Sequence, residues 1–238
     1  MTSRSPKTGT PRALDRALTL ALLDDVYRVA AMDRPVRERS ELLTIALREH
    51  TSDADADNKM KKTVTRIWLN PPEPAASMIR WALDHPDQFA DHRVMHAGAM
   101  LATVPFVGSV IAQLGRSFAL QEQPTVVDLR RRIVAQWGES STVQEGVGKT
   151  ITSLRRLDLV AGGGRTPISP AAPLFASPLG ASWLIHAAML TRQVQALDVH
   201  EAAEAPELFW VAGLKPSTDY PLLELHSEGM NRRVWAVR

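Results

Sequence analysis

The chain has 238 residues, no cysteine and a formal net charge of +2 at pH 7. The absence of cysteine excludes disulfide bonds, thiol catalysis and cysteine-ligated zinc or iron–sulfur centres. It also fits a reducing compartment, so we expect a cytoplasmic protein. The small net charge neither demands nor excludes nucleic-acid binding, which would have to come from local clusters of basic residues. The length is more typical of two small domains than of one.

The N-terminal half is predicted to be helical. Residues 1–11 are polar and basic, lack the apolar run of a secretory signal, and are predicted to be a disordered tail. A helical domain of helix-turn-helix character is predicted over residues 12–120. Residues 51–57 are expected to be a polar connector within it. The first helices are expected at residues 12–31, 36–50, 59–69 and 75–84.

The third predicted helix carries a cluster of basic residues. Lys59, Lys62 and Arg66 are separated by three and four positions, so they share one helix face. Lys61 and Thr65 are also expected to point largely outward. Such a cluster is either a solvated surface or a contact for nucleic-acid phosphates. We treat Lys59, Lys62 and Arg66 as a candidate DNA contact.

Residues 94–115 form an uncharged stretch that is long enough to cross a bilayer. The stretch also contains His96 and Gln113, and Pro105 interrupts it. Polar and helix-breaking groups are costly at membrane depth. We therefore predict two buried helices, or one helix bent at Pro105, and no membrane partner.

Residues 121–238 are predicted to form a winged-helix-like domain with a C-terminal helix and hairpin. Thr125 and Asp128 have the spacing of a capping box at the start of a helix, and Gly138 is expected to end that helix. After a second helix, residues 159–168 contain three consecutive glycines and are predicted to form a two-stranded wing. This order of parts is typical of a winged helix-turn-helix.

The second helix of this unit supplies the main candidate site. A capping box from Ser141 and Gln144 is predicted to begin it. Its apolar positions repeat at helical spacing: Val143, Val147, Ile151 and Leu154. The opposite face and the wing tip carry the groups expected to contact DNA: Lys149, Thr152, Arg155, Arg156 and Arg165. The alternative is a packed helical hairpin whose cations, together with residues 130–132, form a solvated surface.

The C-terminal region adds one helix and a small amount of β-structure. A long helix is predicted over residues 179–197, and β-prone runs within residues 222–237 are predicted to form a terminal hairpin. With β-structure confined to the wing and this hairpin, the expected fold class is mainly α.

Motifs for catalysis and metal binding are incomplete. The acidic run at residues 53–58 lacks the glycine and the final glutamate of an EF-hand loop, so we interpret it as a polar loop. His92 and His96 lie four residues apart, but no further ligand at zinc spacing is apparent, and a surface or capping role is expected. Residues 146–150 lack the first glycine and the preceding strand of a P-loop. We therefore expect no enzymatic activity, no bound metal and no cofactor.

Four stretches carry a resemblance to a known family. RERSELLTIALREH is followed by KMKKTVTRIWLNPP, and TVVDLRRRIVAQWG is followed by TVQEGVGKTITSLRRLDLV. Over residues 36–168 this order resembles the BrxA-type small proteins of BREX phage-defence loci. The resemblance implies a double-stranded DNA-binding accessory protein without a catalytic site. It maps the basic helical positions onto Lys59, Lys62, Arg66, Lys149 and Arg156. The region after Ser169 has no counterpart in the family pattern.

Three functions are compatible with the sequence. The first is a non-catalytic double-stranded DNA-binding protein that works with other proteins of a defence complex. The second is a dimeric or ligand-responsive winged-helix transcription regulator. The third is a protein-interaction adaptor that does not bind DNA, since the winged-helix fold also serves protein contacts. The sequence leaves the DNA sequence preference and the oligomeric state open.

Overall fold

The computed structural model describes residues 13–50, 54–229 and 232–238. The predicted disordered tail at residues 1–11, Asp53 of the acidic run and the turn at residues 230–231 lie outside the described residues. The described α-helices are α1 Leu20–Ala30, α2 Val36–Leu47, α3 Ala54–Val64, α4 Ala76–Asp84, α5 His92–Thr103, α6 Pro105–Ala119, α7 Val126–Trp137, α8 Ser141–Arg156, α9 Pro178–Arg192 and α10 Val199–Ala203.

The β-structure forms two small antiparallel sheets. The described strands are β1 Val160–Gly163, β2 Thr166–Pro170, β3 Ala196–Asp198, β4 Leu223–Glu228 and β5 Arg232–Val237. β1 pairs with β2 in a hairpin, and β5 lies between β3 and β4 in the second sheet. A π-helical turn, Thr65–Leu69, follows α3. Short 3-10 helices occupy Pro86–Gln88 and Pro206–Leu208. The expectation of a mainly α fold is confirmed.

Helices α5 and α6 lie at the centre of the buried core. The buried apolar side chains of the described residues form one cluster that extends from Leu14 to Trp235. Most residues of α5 and α6 are buried, and α5 contacts α1 and α9. In the described part of the chain, no single helix is long and apolar enough to cross a membrane. Among the described helices, α5 and α6 reach the required length and composition together, and they are bent by 115° at their junction. The division of the chain at residue 120 stays a prediction.

The N-terminal helices differ from the prediction in their bounds. The first helix was expected to begin at residue 12, but α1 begins at Leu20, where the side chain of Thr19 accepts a hydrogen bond from the Leu22 N–H. The preceding residues pack against α8 instead of continuing the helix: the Leu18 N–H donates to Ser153 Oγ at 2.9 Å. The polar connector was also wrong over residues 54–57, because α3 begins at Ala54.

The C-terminal helix and hairpin need a similar correction. The helix predicted over residues 179–197 ends at Arg192, because Gln193 takes a left-handed conformation with φ of 58°. The following residues form β3, which pairs with β5. The predicted terminal hairpin is therefore part of a three-stranded sheet. Edge pairing of this kind depends on a partner strand more than thirty residues away along the chain, and local sequence patterns do not encode it.

His186 predicts how the stability of the fold depends on pH. It lies buried in α9, with Nδ1 3.2 Å from the hydroxyl of Tyr220, and burial lowers its pKa to about 4. The unfolded chain takes up this proton near the ordinary value of about 6.5. Between these pH values the unfolded state binds more protons, so stability falls as the pH falls. The expected loss is about 3 kcal/mol between about pH 7 and pH 4.

Urea unfolding of the wild type and of His186→Gln measures this contribution. The free energy of unfolding of the variant should fall less steeply with decreasing pH, by about the same 3 kcal/mol. His226→Gln is the matched control, because its side chain is half exposed. Parallel curves for the wild type and His186→Gln would contradict the prediction.

Candidate nucleic-acid interface

Helix α8 is fixed in the core by a wide apolar stripe. Ser140 begins the helix, since its side chain accepts a hydrogen bond from the Val143 N–H. The helix therefore begins one residue earlier than predicted, and the capping box predicted from Ser141 and Gln144 is wrong, because Val143 stands at the third position after Ser140. The predicted stripe is buried together with small and hydroxyl residues of the same side: Val143, Gly146, Val147, Thr150, Ile151, Ser153 and Leu154. This burial determines which side of α8 faces solvent.

The solvent-facing side of α8 carries four of the predicted site residues. Arg155 and Arg156 are exposed, and the Arg156 Nη1–H donates to the Ala17 carbonyl at 3.3 Å. Lys149 is partly buried and forms an ion pair with Glu145 at 2.8 Å. This pairing lowers the pKa of Glu145. The Thr152 hydroxyl donates to the Gly148 carbonyl. We call Gly148, Lys149, Thr152, Arg155 and Arg156 the α8 face.

Helix α7 adds a cation to the edge of the α8 face. The capping box of Thr125 and Asp128 begins α7 as predicted, and it lowers the pKa of the Asp128 carboxyl through hydrogen bonds from Thr125. The Arg130 Nε–H donates to the Gln144 carbonyl, so this side chain crosses from α7 to α8. Its guanidinium reaches to within 3.4 Å of the position that a Cβ of Gly148 would occupy. Sequence patterns assigned Arg130 only to a solvated surface.

The hairpin β1–β2 follows α8 directly and contacts it. Three consecutive glycines with positive φ lead into its tip. A side chain at Gly162 would collide with the Pro167 carbonyl, which explains why the strands can approach so closely there. Arg165 is exposed between the two strands, at the tip where the sequence predicted it.

The N-terminal basic residues are divided between two elements. Lys59 and Lys62 are exposed on α3, whereas Arg66 is half-buried on the π-helical turn. Lys61 does not point freely outward as expected, because its ammonium donates to the Ser40 carbonyl and to the Thr44 hydroxyl. We call Lys59, Lys62 and Arg66 the α3 cluster.

A cavity of about 830 Å³ connects the α3 cluster to the beginning of α8. Lys62 and Arg66 line one part of it, and Thr142 of α8 lines another. Its remaining walls combine polar and apolar residues: Ala13, Asp15, Thr63, Thr65, Asn70, Pro71, Pro72 and Val104. The cavity therefore places Lys62 and Arg66 beside the first turn of α8, whereas Lys149, Arg155, Arg156 and Arg165 are not among its lining residues. Sequence spacing did not predict this, because α3 and α8 are about eighty residues apart in the chain.

A further group of polar residues lies beside α1 and α5. His96 was expected to have a surface or capping role, which is wrong: it is fully buried, and its Nε2 lies 3.0 Å from Asp24 Oδ1. Burial lowers the pKa of His96, and the hydrogen bond from His96 lowers the pKa of Asp24. His92 is half exposed at the start of α5, and Asp91 caps this helix instead.

Comparison of the chain with known proteins identified no relative. No protein-family model, no curated protein and no solved structure matches the chain.

Two glycines of α8 predict opposite effects of the same substitution. The nearest atom to a Cβ built at Gly148 is the end of the flexible Arg130 side chain, so alanine fits there. A Cβ at Gly146 would lie 2.5 Å from the Cβ of Ala13 and 2.9 Å from the ring of Phe106. Gly148→Ala should raise the free energy of unfolding by about 0.5–1 kcal/mol through helix propensity. Gly146→Ala should lower it by roughly 1–3 kcal/mol through overpacking.

Chemical denaturation of the two variants checks this pair of expectations. The variants contain the same added methyl group in the same helix, so the difference between them isolates the environment of each site. If Gly148→Ala is less stable than the wild type, the fold requires glycine at residue 148 for a reason other than the atoms around it.

Proposed function

We propose that this chain is a non-catalytic double-stranded DNA-binding protein. In this proposal α6, α7, α8 and the hairpin β1–β2 act as a winged helix-turn-helix, with α8 as the recognition helix and Arg165 at the wing tip. The order of these elements supports the assignment. So do the contacts of α6 with α7 and α8, of α7 with α8, and of α8 with β1.

The observation that carries the proposal is a partly exposed glycine bordered by cations. Gly148 lies on the solvent side of α8, where glycine costs about 1 kcal/mol relative to alanine, and no close packing there requires it. Arg130, Lys149 and Thr152 lie around it, and Arg155 follows on the same face. A bare helix surface flanked by cations allows a phosphate or a base edge to approach the backbone closely.

The cavity beside α8 extends this surface toward the N-terminal half. Lys62 and Arg66 border the same cavity as Thr142, so the α3 cluster is a second candidate phosphate contact near the beginning of α8. Contacts of this kind neutralise phosphates and contribute affinity that does not depend on sequence. The proposed accessory role in a BREX-type phage-defence system is supported by the resemblance of residues 36–168 alone.

Salt-dependent DNA binding tests the proposal. The double variant Arg155→Ala, Arg156→Ala removes two exposed cations without removing a carboxylate partner described in the structure. Its affinity for a duplex should fall roughly tenfold or more at about 0.1 M salt. The slope of log affinity against log salt should decrease by about two phosphate equivalents. Fluorescence anisotropy with a labelled duplex measures both quantities.

The matched control is the double variant Lys215→Ala, Arg233→Ala. Both residues are exposed and lie outside α8 and the hairpin, and the change in net charge is the same. The control should bind like the wild type. Equal affinities and slopes for all three proteins would show that Arg155 and Arg156 do not contact DNA. If the wild type does not bind DNA at low salt, the protein-interaction adaptor is favoured instead.

Gly148→Ala provides an independent test of close approach. This variant keeps every charge and is expected to fold more stably than the wild type, so a loss of DNA affinity would come from the added methyl group at the interface. Unchanged affinity would show that the backbone at residue 148 is not approached by DNA.

A further inference from the structure

Asp24, His92 and His96 bring three potential metal ligands together. The Nδ1 of His92 lies 2.7 Å from Asp24 Oδ1, and the Nε2 of His96 lies 3.0 Å from the same oxygen. All three ligand atoms lie within 4.8 Å of one another. Asp24 belongs to α1, and both histidines belong to α5. The DNA-binding proposal uses none of these residues.

The donor set and its spacing fit a divalent transition-metal ion. Two imidazoles and one carboxylate on one side of an ion suit Zn²⁺, Fe²⁺ and related ions. Metal–ligand bonds of roughly 2.1 Å place adjacent donors of an octahedral ion about 3.0 Å apart. The separations of 2.7 and 3.0 Å from Asp24 Oδ1 are close to that value. Because all three ligand atoms lie within 4.8 Å of one another, the side chains can converge on one ion.

The surroundings hold the ligands in place and leave a route of entry. The ring of His96 packs edge-on against Trp68 at 5.5 Å and against Tyr27 at 6.3 Å, measured between ring centroids. This packing orients the imidazole, whose Nδ1 has no hydrogen-bond partner among the described residues. His92 is half exposed, so an ion can reach the cluster from solvent.

The neighbouring acid does not compete for this position. Asp25 forms an ion pair with Arg28 and lies 2.8 Å from the Nε2 of His50. Its carboxylate is therefore engaged by other partners. Asp24, by contrast, has the two α5 histidines as its partners.

We propose that Asp24, His92 and His96 form a binding site for one divalent transition-metal ion that joins α1 to α5. The ion takes one carboxylate oxygen and two imidazole nitrogens from the chain, and water completes its coordination. The alternative is a purely structural cluster in which both histidines donate hydrogen bonds to Asp24 and no ion binds.

Titration of the chelator-treated protein with ZnCl₂ distinguishes these possibilities. Isothermal titration calorimetry should show one Zn²⁺ per chain. The melting temperature should rise by roughly 5 °C or more at a hundredfold excess of Zn²⁺ over its dissociation constant. MgCl₂ at the same concentration should leave the melting temperature unchanged, because Mg²⁺ prefers all-oxygen sites.

Three variants test the assignment of the ligands. Asp24→Asn keeps the size of the side chain but removes the anionic ligand. His92→Ala removes an imidazole ligand whose side chain is half exposed. Each should weaken Zn²⁺ binding at least tenfold. His226→Ala is the control, because this histidine has nearly the same exposure and lies beside Glu224 on β4. It should bind Zn²⁺ like the wild type.

Two outcomes would overturn the proposal. One is the absence of Zn²⁺ binding to the wild type. The other is wild-type affinity in both Asp24→Asn and His92→Ala, which would assign the ion to histidines elsewhere on the surface. Far-ultraviolet circular dichroism of each variant verifies its fold. If Asp24→Asn does not fold, His92→Ala still tests the proposal, because its side chain is half exposed and its removal leaves the core unchanged.

Discussion

Helix α8 can take its position only because residue 146 lacks a side chain. The backbone at Gly146 approaches Ala13 of the N-terminal segment and Phe106 of α6, so a single close contact joins α8 to both. The hydrogen bond from Leu18 to Ser153 extends this contact about two turns further along the helix. Together these contacts fix the rotation of α8 about its axis. The orientation of Gly148, on the opposite side, and of every cation around it follows from that rotation.

The features that the sequence predicted correctly depend on residues near one another in the chain. The capping box of Thr125 and Asp128 and the apolar stripe of α8 are encoded within a few turns of helix. The glycine-rich hairpin after α8 is equally local, because its tight turn needs residues that tolerate positive φ. The orientation of the α8 face follows from the same periodicity. For these reasons its cations could be named before the structure was known.

The features that the sequence did not reveal depend on partners far along the chain. Residues 13–18 have the apolar spacing of a helix, but a side chain of α8 accepts the Leu18 amide hydrogen, and the helix begins later. The partnership of Asp24 with His96 spans 72 residues. The short spacing between His92 and His96 therefore gives no indication that Asp24 lies beside them. The cavity between the α3 cluster and Thr142 is likewise created by packing between distant helices.

Helical spacing alone predicts the same role for Lys149, Arg155 and Arg156, but the structure gives these cations different partners. Lys149 would have to leave Glu145 in order to neutralise a phosphate, and the carboxylate would then remain beside the nucleic acid. Arg155 and Arg156 have no carboxylate partner among the described residues, so a phosphate contact there breaks no ion pair. Exposed ion pairs are individually weak, but the Glu145 carboxylate offsets the attraction between Lys149 and a phosphate. The exposed cations of α8 that lack a described carboxylate partner therefore lie at its C-terminal end, beside the hairpin that carries Arg165.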